Sequence, residues 1–81
     1  MLNGNWKEYI VANPQVLAGK PTIKGTRMAV EFIVELYSQG WSLETILQNY
    51  PTLTREGVLA ALQYAAEALK LERIYPLPEH A

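Results

Sequence analysis

Cysteine and aspartate are both absent: all eight acidic residues are glutamate, and the single histidine, His80, is next to last. Without cysteine neither a disulfide nor a thiolate metal site can form. Hydrolytic and metal chemistry rests on clustered His, Asp, Glu or Cys, and the sequence holds no such cluster. Ser38 and Ser42 have no neighbouring base to activate them as nucleophiles. A lone histidine near a terminus is far more often solvated than a ligand. The expectation is a non-enzymatic domain with no catalytic residue, metal or cofactor, acting by binding. No apolar run approaches the roughly 18 residues of a membrane span. The stretch from Met1 to Lys7 lacks the apolar core of a secretory signal. The expected location is therefore the cytoplasm, which the absence of cysteine fits.

A chain of 81 residues is enough for one domain, residues 1–81. A domain this small buries only about 60% of the surface its unfolded chain exposes. Its core is thin, and self-association is the expected reinforcement. The net charge of −1 is unevenly placed. Lys7, Glu8, Lys20, Lys24 and Arg27 give +3 before Met28, whereas three basic and seven acidic residues give −4 from there onward. Such asymmetry points to separate contact surfaces.

Residues 1–29 read as a basic segment, extended or folded into a hairpin, broken by Gly4, Gly19, Gly25, Pro14 and Pro21. Tyr9-Ile10-Val11 is a short strand-favouring run, and Asn13-Pro14 favours a turn. Pro21-Thr22-Ile23 and the extended piece from Thr26 to Val30 flank Lys24-Gly25, where glycine accepts a positive φ at no steric cost. Residues 30–72 carry helical periodicity. Val30, Ile33, Val34 and Tyr37 predict a first helix over 30–39, ended by Gly40. Ser42 caps a second, with Leu43, Ile46, Leu47 and Tyr50 on its apolar stripe and Pro51 as its stop.

Thr54 caps a third helix with a core stripe of Val58, Leu62, Ala65 and Leu69. A second apolar face carries Ala60, Tyr64, Ala68 and Leu71. A helix apolar around most of its circumference is covered on more than one side. The expected second cover is another copy of the chain, with Tyr64 and Leu71 at the centre of a homodimer interface; the alternative is the N-terminal segment folded over it. Tyr75-Pro76-Leu77-Pro78 cannot continue a helix, so residues 73–81 form an extended tail.

Three short helices with a four-residue break before the last make the second and third a helix-turn-helix, whose third helix reads the major groove. Arg55 and Gln63 are its candidate base readers, matching guanine and adenine. Glu56 and Glu67 on the same helix repel phosphates, which equally allows a packing element. The most distinctive stretch runs from Gly19 to Arg27. It is not a phosphate-binding P-loop, since no Gly-Lys-Ser/Thr follows four positions after a glycine. Lys20, Lys24, Arg27 and the Thr26 hydroxyl, with the loop amides, offer phosphate contacts; the alternative is a tight turn with solvated lysines. The candidate DNA-binding set is Lys20, Lys24, Thr26, Arg27, Arg55 and Gln63.

The string Gly19-Lys20-Pro21-Thr22-Ile23-Lys24-Gly25-Thr26-Arg27, followed by Gly40-Trp41-Ser42, Ile46-Leu47, Tyr50-Pro51, Leu53-Thr54 and the run from Ala60 to Ala65, closely resembles a small bacterial family called domain of unknown function 433. The resemblance covers most of the chain. It implies a mainly α fold: a three-helix homeodomain-like helix-turn-helix bundle with a short N-terminal β-hairpin or extended segment. It also implies an antitoxin-like protein, since members look like partners of PIN-like ribonuclease toxins. On that basis the chain binds a PIN-like nuclease toxin and, as a homodimer, its own promoter DNA. A nuclease of that kind holds its metal with clustered carboxylates. An arginine fork from Arg73 matches such a pocket, and Tyr75 and Leu77 would anchor the tail beside it. The alternative for this tail is packing on its own domain. The rival functions are a stand-alone helix-turn-helix DNA-binding regulator and a protein-interaction module with no nucleic-acid role.

Overall fold

A computed structural model describes residues 6–71, Leu71 by its backbone alone. A short 3₁₀ turn, Trp6–Glu8, leads into strand β1, Ile10–Ala12. Strand β2, Pro21–Ile23, pairs with it antiparallel, with Ile10 opposite Ile23 and Ala12 opposite Pro21. The expected turn at Asn13 is present: its side-chain Oδ1 accepts the Gln15 amide at 2.9 Å. The expected turn at Lys24-Gly25 is present too, with Gly25 at φ +81°. Beyond it the chain returns to β2 through one bridge, Ala29 to Thr22. The main partner of β2 is therefore β1, across the 13–20 loop. Thr22 lies between the two pairings, 1% exposed, and its hydroxyl donates to the Val11 carbonyl at 3.4 Å.

Three helices follow: α1, Val30–Ser38, α2, Leu43–Asn49, and α3, Arg55–Leu71. Their boundaries follow local chemistry. Gly40, at φ +94°, closes α1 in a paired C-terminal motif: its own amide bonds to the Tyr37 carbonyl and the Trp41 amide to the Leu36 carbonyl. Ser42 Oγ caps α2 by accepting the Thr45 amide at 3.1 Å. Thr54 Oγ1 caps α3 by accepting the Gly57 amide at 3.0 Å. Pro51 disfavours helix at Tyr50, and α2 stops one residue earlier.

The centre of the core takes a large, fully buried side chain from each helix, Ile33, Ile46 and Val58, with Ala60 and Ala61 of α3 buried beside them, and the hairpin adds Ile10 and Ile23. Gly57 makes this packing possible. A Cβ built on it would meet the Ile23 side chain at 3.1 Å and Thr54 Oγ1 at 3.2 Å, so β2 lies directly on the first turn of α3.

Two stripe residues depart from the periodicity. On α1 the buried set is Val30, Ile33 and Leu36, while Val34 is 38% exposed. The core-facing side of α1 is turned towards Leu36, which leaves Val34 on its outer edge. On α3 the buried residues end at Ala61, and Leu69 is 62% exposed. The 17-residue α3 outruns the 9-residue α1 and 7-residue α2, so its last turns extend past the core they would join.

Gly57→Val is expected to lower stability by about 1–3 kcal/mol through crowding against Ile23. Ala66→Val, exposed on the same helix, is expected to lose less than about 1 kcal/mol, through helix propensity alone. Urea unfolding midpoints of the two variants compare the effects directly.

Candidate functional site

The basic stretch divides into two parts. Its middle is a turn built by its own side chains. The Thr26 hydroxyl donates to the Ile23 carbonyl at 2.7 Å and accepts the Met28 amide at 3.0 Å. Thr26 thus shapes the turn that presents Lys24 and Arg27. Because Ile23 packs on Gly57, this turn starts at the N-terminal end of α3, where Arg55 is the first helical residue. Among the described residues, Lys24 and Arg27 are the cations with neither a carboxylate within ion-pair distance nor an aromatic ring beneath them.

Lys20 stands apart. Its Nζ lies 2.8 Å from Glu31 Oε2 on α1, and it lines a groove with the C-terminal half of α3. Arg55 is held by Glu44 across the α2–α3 junction at 3.4 Å; both side chains are more than half exposed, and such pairs are weak and open readily. Gln63 is half-buried, and its Oε1 is enclosed without a hydrogen-bond partner among the described residues. Bidentate contact with adenine needs both amide atoms, so Gln63 in this rotamer does not present a base reader. Of the six proposed DNA contacts, the fold brings Lys24, Arg27 and Arg55 to one end of the domain.

Tyr64, assigned to a dimer interface, packs its ring edge-on against Trp6 of the same chain, with centroids 4.9 Å apart. The N-terminal segment therefore covers part of the second apolar face of α3. The Leu71 side chain, and Arg73, Tyr75 and Leu77, lie outside the described residues. What remains open on α3 borders a groove of about 500 Å³ between α1 and the end of α3. Val34, Ala65, Ala68 and Leu69 give it an apolar lining, and Lys20, Glu31 and Glu35 carry its charges. The sequence reading placed Val34 and Leu69 in the core and so missed the groove. It also passed over Gly57, although a glycine inside a helix costs about 1 kcal/mol against alanine, a cost that tight packing can offset. A third surface is aromatic: Phe32, 36% exposed, meets Tyr50 edge-on at 5.7 Å.

Among the described residues, no group of three or more His, Cys, Asp or Glu could hold a metal ion, and no helix is long and apolar enough to cross a membrane. The fold and these surfaces define a three-helix helix-turn-helix domain with an N-terminal antiparallel hairpin. The chain belongs to the family described as Protein of unknown function (DUF433), whose model matches residues 10–65. It is similar to a DUF433 member protein from Anabaena variabilis ATCC 29413, known from a crystal structure, at a TM-score of 0.72 and 31% identity, over 82% of this chain and 69% of that one. It is also 32% identical over 59 residues to uncharacterized protein y4eO of Sinorhizobium fredii (strain NBRC 101917 / NGR234), a match covering 73% of this chain and 27% of the relative. The chain thus spans about a quarter of that curated relative's length.

The Tyr37 phenol reports on the start of α3. Burial raises its pKa above the usual 10.0, the Glu44 carboxylate raises it further, and Arg55 lowers it. Its folded pKa exceeds its unfolded one, so the associated stability is complete below pH 10 and is lost as pH rises through the phenol's titration. Arg55→Ala is expected to shift Tyr37 ionisation to still higher pH and Glu44→Gln to shift it lower, read by phenolate absorbance against Tyr37→Phe.

Proposed function

We propose that this chain is a non-catalytic antitoxin that binds a PIN-like nuclease toxin and its own promoter DNA. Three exposed cations gathered at one end of the domain support the DNA-binding half of this reading. The cations Lys24, Arg27 and Arg55 stand at the N-terminal end of α3. Residues 73–81, with Arg73, Tyr75 and Leu77, follow the other end of α3 in sequence. The antitoxin role itself rests on the family resemblance. The arginine of the trailing segment suits a carboxylate-lined metal pocket.

A stand-alone DNA-binding regulator is the second reading, favoured by Lys24 and Arg27, which have no carboxylate partner among the described residues. The two separate on the trailing segment. Deletion of residues 73–81 is expected to abolish co-purification with a PIN-like nuclease from the native host, at unchanged melting temperature. Retained co-purification moves the grip to another surface, and the absence of any nuclease partner favours the regulator.

DNA binding by three exposed cations is weak and salt-sensitive. At roughly −0.9 per neutralised phosphate, the log–log salt slope is expected near −3 per protomer. Lys24→Ala should weaken binding to all sequences alike and flatten the slope by about one, whereas Lys20→Ala should leave it unchanged. A flat salt response in fluorescence anisotropy removes DNA from the function.

A further inference from the structure

The α1–α3 groove carries both halves of a self-complementary contact. Its hollow lies over the small side chains of Ala65 and Ala68, and beside it stands Leu69, a large apolar side chain 62% exposed. A second exposed apolar residue, Val34 at 38%, forms the α1 wall. Charges of both signs line the same groove: Lys20, tied to Glu31, and Glu35, one turn further along α1. Among the described residues, Glu35 has no ion-pair partner. Isologous dimers need this property, one patch that fits itself after a two-fold rotation.

We infer that this groove is the docking site for a second copy of the chain. Each copy's Leu69 enters the hollow over the other's Ala65 and Ala68, against Val34. The Lys20 edge of one copy faces the α1 edge of the other, which sets a lysine opposite Glu35, unpaired among the described residues. Lys20 can reach across because its bond to Glu31 is exposed on both sides, 54% and 68%, and such bonds are readily exchanged. The proposal stands apart from the antitoxin reading, because it is tested on the purified full chain with neither toxin nor DNA.

Sedimentation equilibrium from low to high micromolar concentration should give about twice the chain mass of 9.1 kDa. Leu69→Gln and Val34→Gln each remove an exposed apolar contact from a different helix. Each should raise the dissociation constant by about thirtyfold or more, the effect of losing a central interface residue. Their circular dichroism and melting curve, extrapolated to low concentration, should match the wild type. Lys20→Glu and Glu35→Lys should each weaken the dimer, and the double variant should restore it, since the swapped charges face each other again. A wild-type chain that stays monomeric at high micromolar concentration overturns the proposal and leaves the groove to another kind of partner. A dimer indifferent to Leu69→Gln and Val34→Gln also overturns it, because the contact then lies elsewhere. A double variant no tighter than the weaker single overturns the Lys20–Glu35 pairing.

Discussion

Gly57 leaves no side chain between the first turn of α3 and strand β2, and Ile23 fills that space to within contact distance. The hairpin is thereby fixed against the third helix. Two short strands are marginal on their own in water, so β1 and β2 depend on this backing. In return the hairpin supplies Ile10 and Ile23 to the core built on Ile33, Ile46 and Val58. The same approach determines where the Lys24-Gly25 turn emerges, and so which end of the domain carries the exposed Lys24 and Arg27.

That arrangement sorts the charges by neighbourhood. Lys20 and Lys24 are four residues apart in sequence, yet one is held by a carboxylate on α1 and the other has no partner among the described residues. Arg55 stands between these cases, loosely held by Glu44 at the helix start. A chain with a net charge of −1 can still present a local positive surface, because the range of an exposed charge in physiological salt is only about 8 Å.

The length of α3 has the opposite consequence. Its first turns are buried by the hairpin and the other two helices. Its last turns extend beyond them, with Trp6 laid against Tyr64 and Leu69 open to solvent. A thin core cannot cover a 17-residue helix from end to end. The uncovered portion is exposed apolar surface, with small residues beside a large one and carboxylates on the facing helix.

The sequence by itself determined what depends on neighbours a few residues apart. Gly40, Ser42, Pro51 and Thr54 punctuate the helices because caps and stops act within one turn. Gly25 marks its turn because only a residue without Cβ takes a positive φ freely. The family string from Gly19 to Arg27 is equally local, and the chain belongs to the family it resembles. Side-chain partners more than a few residues apart were not legible. Periodicity gave α1 an apolar stripe but not its rotation, so Val34 was read as core and Leu36 was not. It gave α3 two apolar faces without showing how far the rest of the chain would reach along them. Composition gathered Lys20, Lys24 and Arg27 into one basic loop. The tertiary structure divided that loop, because strand pairing carries β2 along α3 and sets its two ends against different surroundings. Whether a charge is paired, or an apolar residue covered, depends on what distant chain segments bring to it, and only packing decides that.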